Sequence, residues 1–230
     1  MTHSAVVPVE PHDIASPGTA GTARLRRWSS VALGGGGIVT IVLNVAFTPF
    51  MTPGAPFAEA AASTLYLWRQ SASALAAGLL LFGSIGLYLR LSGRTGIPGA
   101  AAFVVAFFGT ALLLAWEWVD VFVLRPLAVR APAALQTLEE APGIDLSDLG
   151  ALIPVSTFAL GWLALAVVTL RSGLFPRRAP QLVIAGFFLA PLLTPILGLW
   201  APAAGSVVLG AGWLWLARDL YRDSAQPGYR

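Results

Sequence analysis

Residues 100–124 read AAAFVVAFFGTALLLAWEWVDVFVL: twenty-five positions without proline, broken by one glycine and carrying only two formal charges, Glu117 and Asp120. A bilayer has a hydrocarbon core of about 30 Å, which an α-helix of roughly 20 apolar residues crosses. A helix satisfies every backbone N–H and C=O within its own segment, so this run reads as a transmembrane helix. Five other runs follow the pattern, at about 29–50, 71–89, 149–170, 181–199 and 202–217. The expected fold class is all-α, a polytopic membrane protein built as a bundle of six transmembrane helices. The last two runs are short and joined around Trp200-Ala201-Pro202, so a re-entrant hairpin there is the structural alternative.

Composition agrees. Hydrophobic residues make up 57% of the 230 positions and charged ones 11%, where a soluble domain carries about a quarter of its residues charged. Residues 1–23 lack an apolar period and read as a disordered cytoplasmic tail. Residues 24–220 form the six-span domain, and 221–230 form a second cytoplasmic tail.

All fourteen basic residues are arginine. Arg24, Arg26, Arg27, Arg90, Arg94, Arg171, Arg177, Arg178, Arg218, Arg222 and Arg230 fall in the N-terminal tail, the 90–99 link, the 171–180 link and the C-terminal end. The alternate loops hold only Arg69, Arg125 and Arg130. Eleven against three on strictly alternating segments places both termini on the cytoplasmic side of a bacterial inner membrane. Trp28, Trp68, Trp116, Trp118, Trp200, Trp213 and Trp215 lie near the expected boundaries, as interfacial tryptophans do, and only Trp162 sits mid-span.

Absences narrow the chemistry. Without cysteine there is no thiol redox pair or iron–sulfur cluster, and without lysine no Schiff base. His3 and His12 lie in the N-terminal tail, so no span offers a histidine to haem, zinc or copper, and neither cofactor nor metal is expected. The arginines form no stripe with stacking aromatics, so nucleic acid is not an expected partner.

Small residues recur within the runs. Ala74 and Gly78, then Gly83 and Gly86, mark the second, and Gly205, Gly210 and Gly212 the sixth. Such residues let helices approach closely in lipid. Gly34 to Gly37 in the first run imply either very close packing or local pliability. Pro154, Pro191 and Pro195 are expected to kink the fourth and fifth spans. Two outer segments, 52–70 and 125–147, exceed a simple turn; they read as amphipathic connectors or as a lid. Asp145 is expected to cap the fourth span.

The candidate site is the charge inside the third run. Glu117 and Asp120 are three apart and share a helix face. Counting from Ala100, Glu117 lies about 25 Å along the helix, in the outer quarter of the membrane. The short 90–99 link makes the second and third spans antiparallel neighbours, which sets Arg69 at similar height and able to pair with one carboxylate. The other acid is then free to protonate or meet a ligand. Trp116, Trp118 and Asn44, the one amide well inside a span, complete the expected ligand-binding set, with Glu117 and Asp120 as candidate catalytic acids.

Trp116 to Asp120 resembles the Trp-Glu pair of the integral-membrane terpene cyclases of meroterpenoid pathways, in which an acid protonates the substrate. Those enzymes usually have seven spans and draw acids from separate helices, whereas the other acids here lie in loops or tails, so the chain is not assigned to that family. The leading expectation is a protein binding a small hydrophobic molecule or lipid in an outward-facing acidic–aromatic pocket. The rival readings are an enzyme using Glu117 as general acid, and an accessory subunit whose small-residue helices pack against a partner or a second copy.

Overall fold

The computed structural model describes residues 17–50, 56–139 and 146–225. Every regular element among them is helical: α1 Pro17–Phe47, α2 Phe57–Ala62, α3 Thr64–Val119, α4 Arg125–Arg130, α5 Pro132–Glu139, α6 Leu146–Ser172, α7 Arg178–Leu197 and α8 Ala201–Ala225. Single 3-10 turns occupy Thr48–Phe50 and Gly198–Trp200, and a π turn occupies Asp120–Leu124. The all-α class expected from sequence is observed. Four continuous helical stretches, Gly21–Phe50, Thr64–Arg130, Leu152–Ser172 and Arg178–Ser224, are long and apolar enough to cross a membrane. Large apolar side chains stand on the outside of the bundle, among them Phe108, Leu192 and Ile196, exposed by 61%, 70% and 78%. Water would penalise such a surface and lipid would not, consistent with a helical membrane protein.

Two of the four stretches fold back on themselves. A straight helix as long as α3, with its 56 residues, would measure roughly 84 Å. Gly96 instead takes φ 52° and ψ −141°, a conformation open only to glycine, and the chain reverses. Pro98 sits just inside the returning arm, where a missing N–H costs nothing. The arms, residues 64–95 and 97–119, are antiparallel neighbours: Tyr88 stacks on Phe103 with ring centroids 4.4 Å apart. Gly198, at φ 53°, performs the same reversal between α7 and α8, and Pro202 follows in the first turn of α8.

The arms and helices pack in a ring. The first arm of α3 lies on α1, α1 on α8, α8 on α7, α7 on α6, and α6 on the second arm. Small residues make these contacts. The Cβ positions of Gly36 and Gly37 point at Leu80 and at the Gly210 carbonyl, so the glycine run is where α1 passes between α3 and α8. Close packing, not pliability, explains it. Trp162 and Trp213 meet edge-to-face at 5.2 Å in the centre, with Phe158 against both. Trp162 Nε1 donates to Thr110 Oγ1 at 3.0 Å. Trp213 is fully buried: the small residues of α7 and α8 draw the helices close enough to enclose it.

One end of the bundle is rich in arginine. Arg26 and Arg90 both pair with Asp223, and Arg27 donates to the Tyr221 hydroxyl at 3.0 Å, tying the start of α1 and the end of the first arm to the end of α8. Helical structure exceeds the expected limits at both ends: α1 begins at Pro17, inside the expected 1–23 tail, and α8 continues to Ala225. Residues 1–16, including His3 and His12, and the Asp145 cap lie outside the described residues.

Candidate functional site

At the opposite end the second arm of α3 brings Glu117 and Asp120 to the first arm. Both acids are buried, at 7% and 4% exposure, beside Gln70 at 5%. Gln70 Nε2 donates to Asp120 Oδ2, and Arg69 donates to Gln70 Oε1 at 2.6 Å. The Tyr66 side chain lies near Asp120. Ser73 Oγ donates to Glu117 Oε1 at 2.6 Å, whereas Glu117 Oε2, shielded from bulk solvent, has no hydrogen-bond partner among the described residues.

Arg69 thus stands at the expected height, but it acts through an intervening amide. No direct ion pair from Arg69 to either acid is found among the described residues, which corrects the expectation of a salt bridge. Gln70 belongs to the helix, which starts at Thr64 and not near residue 71, and its side chain takes the position between the charges. Sequence reading missed Gln70, Ser73 and Tyr66. A signal existed: Gln70 and Asp120 lie 25 residues either side of Thr95, and Ser73 and Glu117 lie 22 either side. Equal distances from the turn of a helical hairpin mean equal heights.

Immediately after the acids the helix widens into the π turn, where the Arg125 N–H bonds the Asp120 carbonyl five residues back. Pro126 follows at the start of α4. A proline in an ordinary α-ladder would clash with the carbonyl four residues before it, and the wider turn relieves that crowding. Beyond it α2, α4 and α5 pack together through Ala58, Ala61, Ala128 and Leu135, with Tyr66 and Leu124 against them. The two outer segments are therefore joined into one small apolar layer over the Tyr66 side of the site.

The tryptophans part company. Trp118, 54% exposed, stacks on Phe122 at 4.6 Å and lines a groove of about 460 Å³ between the two arms. Trp116 turns the other way: its ring lies against Gly150 of α6, and it shares a helix face with Gly109, seven residues earlier, which also meets α6. Trp116 is not among the residues that line the groove. The groove floor comes from Ser71, Ala74 and Gly78 of the first arm, and among the described residues its only charged lining residue is Glu117. A Cβ on Gly78 would meet nothing within 4 Å, so this small-residue pair shapes an open groove where a helix contact was expected.

Asn44 does not reach the acids. Its amide donates to the Thr40 carbonyl of its own helix at 2.9 Å, and with Thr48 and Arg69 it borders a separate small cavity of about 60 Å³. No group of three or more metal-ligating side chains occurs among the described residues. In chemical terms the site is an apolar groove whose lining includes one carboxylate, Glu117, with a buried oxygen that has no partner among the described residues, beside a relay from Asp120 through Gln70 to Arg69. No protein-family model, curated protein or solved structure matches the chain.

Proposed function

We propose that the chain is a six-span protein of the bacterial inner membrane, both termini cytoplasmic, that receives a small apolar or amphipathic ligand in the groove of the α3 hairpin. The observation carrying the ligand reading is Glu117: a buried carboxylate, one oxygen without a partner among the described residues, in the lining of an apolar groove that Trp118 and Phe122 also line. Binding pockets are mostly apolar with a few placed polar groups, typically about 300–1,000 Å³ in volume. Leu75, Trp118 and Phe122 on its rim are exposed, so entry is sideways from lipid.

Filling the groove is the direct test. Gly78→Leu places an isobutyl group in open space and gains helix propensity, so the thermal unfolding temperature should hold or rise. Native mass spectrometry of protein extracted with its lipids should show a bound species on wild type that this variant lacks; identical spectra would remove the groove from the functional account.

The two reversals support six crossings. α7 and α8, with 20 and 25 residues, measure about 30 and 37 Å, enough for a bilayer each. The arginine-rich end then faces the cytoplasm. Because the chain has no cysteine, single substitutions report sidedness cleanly. On intact cells an impermeant maleimide should label Leu199→Cys at the α7–α8 turn, and should label Ser92→Cys near the α3 turn only after permeabilisation. Labelling of both from one side would defeat the six-span arrangement.

An enzyme that protonates an isoprenoid or other lipid is the second reading, favoured by the same unpartnered Glu117 oxygen, since a general acid must touch its substrate. It requires product formation in membranes, lost in Glu117→Gln.

A further inference from the structure

Within the groove reading just given, the site's charges specify a ligand class. Glu117 and Asp120 are two buried acids on neighbouring turns of one helix, and Arg69 stands beside them behind Gln70. Arg69 is already engaged: its guanidinium holds the Gln70 carbonyl oxygen, and the Gln70 amide holds Asp120. That relay matches one positive charge to one carboxylate. Among the described residues Glu117 receives only the neutral hydroxyl of Ser73, on Oε1, and the buried Oε2 has no partner. The pair is therefore one positive charge and one hydrogen-bond donor short whenever both acids are ionised, in surroundings where an uncompensated charge is unfavourable.

We infer that the groove binds an amphipathic ammonium, a primary or secondary amine on an apolar body, whose N–H donates to Glu117 and whose charge completes the set. The groove supplies the remaining features of such a site. Ala74 and Gly78 leave room for an alkyl or ring system, and Leu75 and Leu79 give it apolar walls. Trp118, held by its stack on Phe122, lines the same groove as Glu117 and gives it an aromatic surface of the kind that favours a cation. Two carboxylates disfavour a fatty acid or a phosphate at the same place. A quaternary ammonium carries the charge but no N–H, and a long-chain alcohol carries a donor but no charge, so the two requirements separate experimentally.

The test uses the full chain in phosphatidylcholine nanodiscs, with radiolabelled decylamine measured by scintillation proximity and corrected against empty discs. Saturable binding is expected, displaced by excess unlabelled decylamine. Decanol and decyltrimethylammonium should compete roughly tenfold less well or worse, and decanoate not at all, since a hydrogen bond to a charged group is worth about that much. Glu117→Gln should weaken decylamine by a similar factor while leaving radiolabelled decanol unchanged. Gly78→Leu, which touches no carboxylate, should remove both and keeps the test decisive if Glu117→Gln fails to fold. Equal binding of amine and alcohol, indifferent to Glu117→Gln but lost in Gly78→Leu, overturns the ammonium assignment and leaves the groove standing. Retention of none of these probes by wild type overturns both.

Discussion

Gly161→Leu should abolish the folded bundle, giving aggregated protein or an unfolding temperature far below wild type in mild detergent. A Cβ on Gly161 would land on the Ala106 backbone, and one on Gly109 would come within 2.5 Å of Thr157 and Phe158 backbone atoms. The second arm of α3 and α6 thus touch main chain to main chain, each through the other's missing side chain. Backbone cannot rotate aside as a side-chain end can, so the helices must part. Overpacking a core costs about 1–3 kcal/mol, and a leucine against backbone belongs at the top of that range or beyond it. Parting them also pulls on the Trp162–Thr110 hydrogen bond at the next residue of each helix. The internal control is Gly78→Ala, in open space, which should leave the unfolding temperature unchanged or slightly raised. Similar melting of the two variants would show that the contact is not tight.

Gln70→Leu should produce the second large loss, about 3–5 kcal/mol, because it strips a buried carboxylate of its principal donor and separates it from Arg69. Glu117→Gln, by contrast, keeps an oxygen that accepts from Ser73 and should cost under about 1 kcal/mol. A cycle makes the assignment specific. Adding Asp120→Leu to Gln70→Leu removes both members of the buried contact, and most of the lost stability should return, since replacing both partners with apolar groups is close to neutral. Thermal unfolding followed by circular dichroism in one detergent suffices for all four proteins. If Gln70→Leu alone melts with wild type, the Arg69–Gln70–Asp120 relay does not hold the hairpin.

These two sites show how much of the molecule is legible in the chain. The helical class follows from runs such as 100–124, where hydropathy and length leave one way to satisfy the backbone. Glu117 and Asp120 could be picked out because ionisable residues are rare there, and the short 90–99 link placed Arg69 opposite them. Gln70 and Ser73 were passed over because neutral polar residues at the mouth of an apolar run look like ordinary boundary residues. Their matching distance from Thr95 becomes meaningful only once the reversal is known to occur at Gly96. The pattern of Ala74 and Gly78 was read as a helix contact because small residues in lipid usually make one. Here the neighbouring arm presents Leu114, Glu117 and Trp118 at a distance, and the same two residues become a groove floor.

Helical periodicity also could not decide which tryptophan faces what. Trp116 and Trp118 are two residues apart and so point in widely different directions on a helix, and only the position of α6 sends the first to Gly150 and the second to the groove. The burial of Trp213 against Trp162 is likewise set by packing between distant helices. The helical class, the segments suited to lipid, the asymmetry of arginine between the two ends and the oddity of two acids in an apolar run are all readable along the chain. These depend on local composition and on the solvent a segment requires. The tertiary structure alone decided that Arg69 acts through Gln70, that one Glu117 oxygen is left without a partner, and that the small residues beside it enclose space. Those depend on the rotation and separation of neighbouring helices, which are set by contacts between distant parts of the chain.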